Sequence, residues 1–249
     1  MKRIVLANLI TLLLTSCAHL PVYDAKHTSP EEQVDHLRFY DSESHMQFDL
    51  YQDSTHLYLK LITGDFASQI KILKLGLTIY LDDSDKKKEN KSITFPQGMD
   101  ADQMQLEMKR EAGYKNAMAM LHNRYLLSTK TMLLKGFDGK GSEKIVLANI
   151  KNFPINIRID FDAANQLIYL ASISKEMLKK DNPDIDYLSI GVVSGKMDPS
   201  RMGQARGGGG MGRGQGGGRG GMKGQSRGQN MQAPSALMNP IKIWFKTKI

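Results

Sequence analysis

Residues 46–61 read MQFDLYQDSTHLYLKL. On each side of Asp53-Ser54-Thr55-His56, apolar residues stand at every second position. They are Met46, Phe48 and Leu50 before it, and Leu57, Leu59 and Leu61 after it. Because side chains alternate between the two faces of a strand, this period predicts two strands that each bury one face. The polar residues between them predict a turn, so the segment predicts a β-hairpin.

Short elements of the same kind continue along the chain. Residues 66–75 have helical spacing and end at Gly76, which predicts a short helix. Strands are predicted at 77–81, 93–95, 130–137, 155–161, 167–173, 187–193 and 241–249. Residues 101–127 lack proline and contain few β-branched residues, which predicts a helical insertion. Eight or nine strands without strict strand and helix alternation favour a mainly β fold, an antiparallel two-sheet, jelly-roll-like β-sandwich.

The first sixteen residues have the layout of a secretory signal peptide. Lys2 and Arg3 precede an apolar run over 4–14, and the run ends in Leu14-Thr15-Ser16-Cys17. A run of this length is too short for a hydrocarbon core about 30 Å thick, so we do not expect a permanent transmembrane helix. The last four residues resemble the lipobox of bacterial lipoproteins. That resemblance implies that residues 1–16 are removed and that Cys17 is acylated.

An acylated Cys17 would make a membrane the first partner of this chain. Cys17 is the single cysteine, so an intramolecular disulfide is excluded. Residues 17–40 contain Pro21, Pro30 and no sustained apolar period, which indicates a flexible tether, and residues 41–249 form the predicted sandwich domain. Position 18 is alanine and not the aspartate that retains some lipoproteins at the inner membrane, so we expect an outer-membrane location in the cell envelope.

A glycine-rich, basic segment interrupts the last part of the chain. Residues 203–228 contain 14 glycines and no acidic residue, which predicts a disordered insertion over about 201–236. Its basic residues include Arg206, Arg213, Arg219, Lys223 and Arg227. The chain has a net charge of +8, and residues 201–249 hold nine basic side chains, so residues 1–200 carry −1. The high isoelectric point therefore belongs to one segment of the chain.

Three interpretations of the basic segment remain open. It is a solvated loop without a ligand, a contact for a polyanion such as lipopolysaccharide or an acidic glycan, or a nucleic-acid contact like the arginine and glycine repeats of RNA-binding proteins. The segment lacks interleaved aromatic residues for base stacking, and an envelope protein meets little RNA. We therefore do not expect nucleic acid as a partner.

The sequence contains no pattern that indicates catalysis. The six histidines lack zinc-ligand spacing, and no phosphate-binding loop or nucleophile elbow occurs. Asp82, Asp83 and Asp85 are weak calcium candidates, because their spacing does not match an EF-hand loop and three lysines follow them. A solvated hairpin tip explains these residues better. We expect no cofactor.

Trp244 is the single tryptophan, and it lies in a strand with clear alternation. In residues 241–249, apolar residues at odd positions should face the core, while Lys242, Trp244 and Lys246 share the other face. Trp244 then has two interpretations. It is a sugar-binding platform, with Lys242 and Lys246 beside it, or it packs against the helical insertion.

The segments 57–61, 69–73, 76–82, Phe95-Pro96 and 240–246 resemble a group of Bacteroidota lipoproteins. Their strand pattern is similar to the β-sandwich of family 9 carbohydrate-binding modules and DOMON-like domains, most clearly over about 45–96 and 240–249. The resemblance implies a jelly-roll-like sandwich at the cell envelope and implies no activity. Family 9 modules grip sugar between aromatic side chains, and here there is one tryptophan. Haem binding of the DOMON type needs an axial Met and His pair, which nothing in the sequence singles out.

The sequence predicts a membrane-anchored, non-catalytic β-sandwich lipoprotein that binds a glycan or another envelope partner. The alternative is a structural or assembly lipoprotein whose basic glycine-rich loop contacts anionic surfaces. An enzyme is a third hypothesis, which no motif supports.

Overall fold

The structure is a computed structural model, and it describes residues 19–28, 37–83, 86–99, 122, 130–138, 141–148, 150, 152–196 and 237–249. Within these residues, twelve strands form two six-stranded sheets, and two short helices accompany them. All strand pairs are antiparallel except β1 with β3. The predicted antiparallel two-sheet β-sandwich is confirmed.

The first sheet, called sheet 1, has the strand order β1-β3-β4-β10-β9, and β2 also pairs with β3. Its strands are β1 Lys26–His27, β2 Phe39–Asp41, β3 Met46–Gln52, β4 His56–Thr63, β9 Ile155–Phe161 and β10 Leu167–Ser174. The predicted hairpin is β3 and β4, with Leu50 opposite Leu59. Its apolar residues are buried, as the alternation predicts.

The second sheet, called sheet 2, has the order β12-β11-β5-β6-β7-β8. Its strands are β5 Leu77–Asp82, β6 Lys91–Thr94, β7 Thr131–Lys135, β8 Glu143–Leu147, β11 Tyr187–Ser194 and β12 Lys242–Lys248. Strand β8 was not predicted. It is an edge strand with almost no buried side chain, so its sequence lacks the alternation that marks a strand with one buried face.

One helix passes from sheet 1 to sheet 2 at one end of the sandwich. Helix α1, Phe66–Leu75, confirms the predicted short helix. The Asp65 side chain accepts a hydrogen bond from the Ser68 amide at 2.8 Å, and Gly76 ends the helix at a φ of 84°. This end is called the α1 end. The second helix, α2 Lys175–Lys179, follows β10 at the opposite end and was not predicted.

Residues 19–28 close one side of the sandwich by joining both sheets. The Tyr23 amide donates to the Lys246 carbonyl at 2.8 Å, and the Lys246 amide donates to the Pro21 carbonyl at 2.8 Å, so the segment first runs beside β12. It then forms β1 beside β3. Leu20 and Ala25 are buried. We call residues 19–28 the N-terminal strap.

Tyr23 of the strap completes a cluster of aromatic rings between the two sheets. Its ring stacks on Phe39 with centroids 4.1 Å apart, and lies 5.7 Å from Phe48 in sheet 1 and 5.6 Å from Phe245 in sheet 2. Phe48 and Phe245 also stack on each other at 5.3 Å. Such pairs stabilise packing by about 0.5–1.5 kcal/mol beyond the area that they bury. The strap is therefore part of the core packing.

A buried carboxylate fixes the strap and β2 to β3. Asp49 has an exposed fraction of 0%, and its oxygens accept hydrogen bonds from Arg38 at 2.6 and 2.9 Å and contact the Lys26 ammonium at 3.1 Å. The Leu50 amide also donates to Asp49 at 2.8 Å. Burial alone would raise the pKa of Asp49, but these donors together outweigh burial and hold its pKa below the usual range.

The flexible tether predicted over 17–40 is therefore wrong for the residues of it that the structure describes. Residues 19–28 pack on the sandwich, and Phe39 and Tyr40 belong to β2. Pro21 and two of the charged residues that indicated a tether fit the observed structure, because Lys26 and Arg38 neutralise Asp49 and Pro21 provides only a carbonyl to β12. Residues 29–36 lie outside the described residues.

Replacing Asp49 with asparagine tests the contacts of Asp49 with Lys26 and Arg38. We expect Asp49→Asn to lower the free energy of unfolding at pH 7 by about 2–4 kcal/mol, measured by urea denaturation, because breaking a buried pair typically costs about 3–5 kcal/mol and both cations here reach solvent. Asp160→Asn is the matched control. Asp160 contacts Arg158 at 3.9 Å on the surface, so its loss should cost no more than about 0.5 kcal/mol.

The same pair of variants gives a pH test. Because the folded-state pKa of Asp49 is depressed, its ionisation stabilises the fold above the unfolded-state pKa of about 3.9, and this stabilisation is lost as the pH falls through the folded-state pKa. The difference between wild type and Asp49→Asn should therefore shrink in acid. If the difference in unfolding free energy between the two proteins is the same at neutral and acidic pH, the stabilising role of the ionised Asp49 is contradicted.

Candidate functional site

The outward face of β12 carries the three residues that the sequence singled out for ligand binding. Lys242 is exposed, and Trp244 and Lys246 are half-buried, whereas the intervening Ile243 and Phe245 are buried. The predicted alternation of this strand is confirmed. Lys246 differs from the other two in one respect, because its backbone pairs with the strap.

Strand register places Trp244 in a row with two residues that the sequence did not single out. Gly191 in the middle of β11 pairs with Trp244 on one side and with Tyr80 of β5 on the other. Gly191 itself has no side chain. The outer surface of sheet 2 therefore has a gap between the two aromatic residues.

The indole of Trp244 fills this gap. A Cβ atom on Gly191 would lie 2.5, 2.6 and 2.7 Å from Cζ2, Cε2 and Cη2 of Trp244. Nearly equal distances to three neighbouring ring atoms mean that the face of the ring, and not its edge, lies on the glycine. Only glycine allows this approach, which is a common reason for a glycine inside a strand. The opposite face of the indole therefore points away from the sheet.

Tyr80 extends the aromatic surface. Its ring is nearly parallel to the indole, with an angle of 10° between the planes and 5.8 Å between the centroids, as in offset aromatic pairs. Partial burial, followed by the negative charge and hydrogen bond of Glu89, raises the pKa of Tyr80, so its hydroxyl is protonated at neutral pH. We call Trp244 and Tyr80 the aromatic platform.

The lining of an open cleft of about 450 Å³ includes Trp244 but not Tyr80. Residues of the strap, of β2 and of the loop after β5 form its other walls. Its polar wall residues are His19, Tyr40, Asp41, Lys87 and Lys242. Lys246 lies outside the cleft, so the structure brings together two of the three predicted ligand-binding residues.

The cleft wall carries more positive than negative charge. Lys87 and Lys242 are both exposed. Asp41 is the one carboxylate among the described wall residues, and its Oδ2 already accepts hydrogen bonds from the Ser44 amide at 2.9 Å and the Ser44 hydroxyl at 2.5 Å. The cleft thus combines two lysines with aromatic residues in its lining.

The platform and the cleft were only partly accessible to sequence reasoning. The outward direction of Tyr80 follows from the alternation of β5, and a glycine among β-formers in 187–193 signals a close approach. Register between β5, β11 and β12 could not be read from the sequence, since these strands are far apart along it. The strap residues at the cleft were missed because they were assigned to a tether.

The acidic cluster after β5 has a structural role at its first residue. Asp82 is buried, and its Oδ2 accepts hydrogen bonds from the Lys86 amide at 3.1 Å and the Lys88 amide at 3.3 Å, which fastens the loop. Asp83 is half-buried, and Asp85 lies outside the described residues. In the part of the chain that the structure describes, no group of three or more His, Cys, Asp or Glu side chains could hold a metal ion.

Several predicted features lie outside the described residues. They are Cys17, the signal peptide over 1–16, the disordered insertion over 201–236 with Arg206, Arg213, Arg219, Lys223 and Arg227, and most of the helical insertion over 101–127. Within the described ranges, no helix is both long and apolar enough to cross a membrane.

One residue of the predicted helical insertion is described. The His122 ring stacks on Phe161 of β9, with centroids 3.4 Å apart, and its Nε2 lies 3.3 Å from the Gln69 side chain of α1. Strand β9 is the edge of sheet 1, whereas Trp244 is on the outer face of β12 in sheet 2. His122 therefore packs away from Trp244.

Comparisons with known proteins find two similar solved structures. Both are of a family 9 carbohydrate-binding module from Caldicellulosiruptor kristjanssonii. The complex with glucose is 12% identical, covers 72% of this chain and 81% of its own, and has a TM-score of 0.29. The complex with cellotriose is 9% identical, with 72% and 79% coverage and a TM-score of 0.29. A TM-score this low carries no information about a ligand.

No protein-family model and no curated protein matches the sequence. The function is therefore inferred from the residues of this chain.

The contact between Gly191 and Trp244 is testable with one methyl group. We expect Gly191→Ala to push the indole off the sheet, because the new Cβ would overlap the ring. Since Trp244 is the single tryptophan, its fluorescence reports this position alone. The emission maximum should shift to the red, and acrylamide should quench it more strongly.

Gly64→Ala is the matched control, because a Cβ there meets its nearest atom, in the Gln166 side chain, at 3.4 Å. It should leave the emission unchanged. An unchanged emission in Gly191→Ala, with the fold intact by circular dichroism, would contradict the arrangement.

Proposed function

We propose that this chain is a lipid-anchored, non-catalytic β-sandwich of the bacterial cell envelope that binds a carbohydrate on its aromatic platform. The observation that carries the proposal is the placement of Trp244. One face of its indole rests on Gly191, and the other is turned outward beside Tyr80 and an open cleft.

An outward aromatic face suits a sugar ring for an electrostatic reason. The face of an aromatic ring carries partial negative charge, and the C–H groups on one side of a sugar ring carry partial positive charge. A flat ring also immobilises few rotatable bonds when it binds. Gly191 occupies a position in the middle of β11, where glycine usually weakens a strand, and its lack of a side chain lets the indole lie flat.

The polar residues of the cleft supply the second part of a sugar site. Lys242 and Lys87 can donate hydrogen bonds to hydroxyl or acidic groups, and the imidazole of His19 can accept or donate. A few polar groups around an apolar surface are typical of ligand sites, which range from about 300 to 1,000 Å³. The cleft lies at the lower end of this range, so it fits a short part of a glycan.

The same wall supports binding and not hydrolysis of a glycan. Most glycoside hydrolases use two carboxylic groups, one on each side of the bond that is cut. Among the described wall residues Asp41 is the one carboxylate, and Ser44 engages it.

Membrane anchoring and an outer-membrane location are supported by the sequence. The segment that ends at Cys17 has the layout of a lipoprotein signal peptide, and residue 18 is not aspartate. Three acyl chains on one cysteine would hold the protein on a membrane essentially permanently.

The alternative is a structural or assembly lipoprotein that uses its basic segment. One observation favours it. Gly195 donates to the Gly76 carbonyl and Leu237 packs against α1, so the described residues on both sides of the basic segment lie at the α1 end. The segment itself, with Arg206, Arg213, Arg219, Lys223 and Arg227, lies outside the described residues. The strap also begins at this end, beside Lys242, so the described residues that flank the basic segment lie at the same end as the residues that follow the proposed anchor.

A glycan array tests the proposal. We expect the mature chain to bind a subset of glycans, and Trp244→Ala to weaken binding about tenfold or more, which corresponds to about 1.4 kcal/mol, because removing a central aromatic anchor often costs at least this much. Tyr80→Ala should weaken it less. Tyr187→Ala is the matched control, because Tyr187 is an exposed tyrosine on β11 at the other end of the sheet.

Equal loss in Trp244→Ala and Tyr187→Ala would contradict the platform. If no glycan binds, and the chain binds anionic vesicles only through its basic segment, the alternative function is correct.

A further inference from the structure

We propose that the cleft binds the sugar headgroup of an anionic glycolipid in the same membrane that anchors the chain. This inference rests on the proposed function, because it names the kind of carbohydrate that the site takes. It depends on one feature of the fold, which is that a wall of the cleft belongs to the segment next to the lipid anchor.

The cleft and the anchor are adjacent in the chain. His19, Leu20, Pro21 and Tyr23 line the cleft, and His19 follows Cys17 by two residues. Two residues span at most about 7 Å when fully extended. The headgroup layer on each side of a bilayer is about 5–7 Å thick. An acylated Cys17 therefore keeps His19 at the outer surface of the headgroups.

The strap cannot act as a spacer that lifts the cleft away. Its backbone bonds to Lys246 on both sides of Val22, Tyr23 is held among the aromatic rings of both sheets, and Lys26 contacts the buried Asp49. Releasing the cleft from the membrane would require breaking these contacts together. The position of the cleft relative to the membrane is thus set by the fold.

The residues around the cleft suit a lipid surface. The Tyr40 ring, at its wall, is 59% exposed, and Val22 on the strap is 54% exposed. Tyrosine and tryptophan rings are favoured at membrane interfaces, where one end of the ring is apolar and the other wet. Tyr40 shares the cleft lining with His19, and Val22 follows His19 by three residues, so both exposed groups belong to the part of the fold next to the proposed anchor.

The charge of the cleft selects among headgroups. The cleft lining contains two lysines, Lys87 and Lys242, and one carboxylate, Asp41, which already accepts a hydrogen bond from the Ser44 amide. Opposite charges within a few ångströms attract more strongly near a low-dielectric membrane than in water. A sugar with a carboxylate or phosphate group fits this lining better than a neutral sugar.

Binding within one membrane also needs only modest intrinsic affinity. A ligand in the same bilayer is confined next to the site, which raises its effective concentration without any new contact. A small, open cleft with one aromatic wall is enough under this condition, whereas a soluble glycan would have to bind without that advantage.

The test uses the full lipidated chain in phosphatidylcholine and phosphatidylglycerol vesicles, with Trp244 as the single fluorophore. A lipid with a nitroxide on its headgroup should quench Trp244 strongly. Inserting a Gly/Ser linker of about 20 residues between Ala18 and His19, which spans about 25 Å, should reduce the quenching about threefold or more. The same linker between Lys140 and Gly141, in the β7–β8 turn, is the matched control and should leave quenching unchanged.

A second arm tests the ligand. Vesicles that contain uronosyl diacylglycerol should change the Trp244 emission, whereas glucosyl diacylglycerol and the soluble methyl uronide at the same total concentration should have much smaller effects. Lys242→Ala should weaken the response to the uronosyl lipid.

The outcomes separate this inference from the proposed function. Weak quenching that does not depend on the linker, together with binding of soluble glycans, would overturn the membrane placement and leave carbohydrate binding intact. Strong quenching with no response to any lipid-linked or soluble sugar would overturn both. Equal responses to the lipid-linked and the soluble uronide would overturn the preference for a glycolipid.

Discussion

The contact of Asp49 with Lys26 and Arg38 is the interaction on which the arrangement of this molecule depends. A carboxylate with an exposed fraction of 0% is stable in the folded chain only because both cations and the Leu50 amide satisfy it. Those cations belong to the strap and to the residue before β2, so the charge that must be neutralised also brings both segments to the edge of β3. The strap then joins β3 in sheet 1 to β12 in sheet 2 and closes that side of the sandwich. Without the strap, the side of β12 and the rings of Phe48 and Phe245 would be open to water.

The candidate site follows from that closure. The cleft exists because strap residues stand next to Trp244, and Trp244 lies flat because Gly191 leaves room beneath it. Trp244, the lysines of the cleft and the strap therefore meet at one place, although they come from the end, the middle and the beginning of the chain. Any ligand that binds there contacts residues close to Cys17. Under the proposed lipidation of Cys17, the membrane as well as the chemistry of the cleft would limit which ligands reach the site.

Sequence periodicity predicted the strands and the helix that bury one face. It failed for an exposed edge strand and for the strap, whose position depends on contacts with distant residues. The β3–β4 hairpin, α1, β5 and β12 each show apolar residues on one face, so their type and the outward direction of Trp244 followed directly. Strand β8 is exposed on both faces and gave no signal. The strap was predicted to be a flexible tether, because Pro21 and the charged residues are typical of one. Their partners in β3 and β12 are distant in sequence, so no local pattern indicates these contacts. The row of Tyr80, Gly191 and Trp244 depends on register between distant strands, which no local pattern encodes.

The central claim is that residues 19–28, which follow the proposed anchor residue Cys17, are a structured part of the sandwich. Amide hydrogen exchange of Tyr23 in the mature, lipidated chain tests it most directly, because this amide donates to the Lys246 carbonyl at 2.8 Å. Exchange reports the free energy of opening at a single amide. We expect Tyr23 to exchange as slowly as the amides of β12 to which the strap is bonded. Exchange of Tyr23 at the rate of an unstructured chain, with β12 protected, would show that residues 19–28 are a tether after all and would contradict the account.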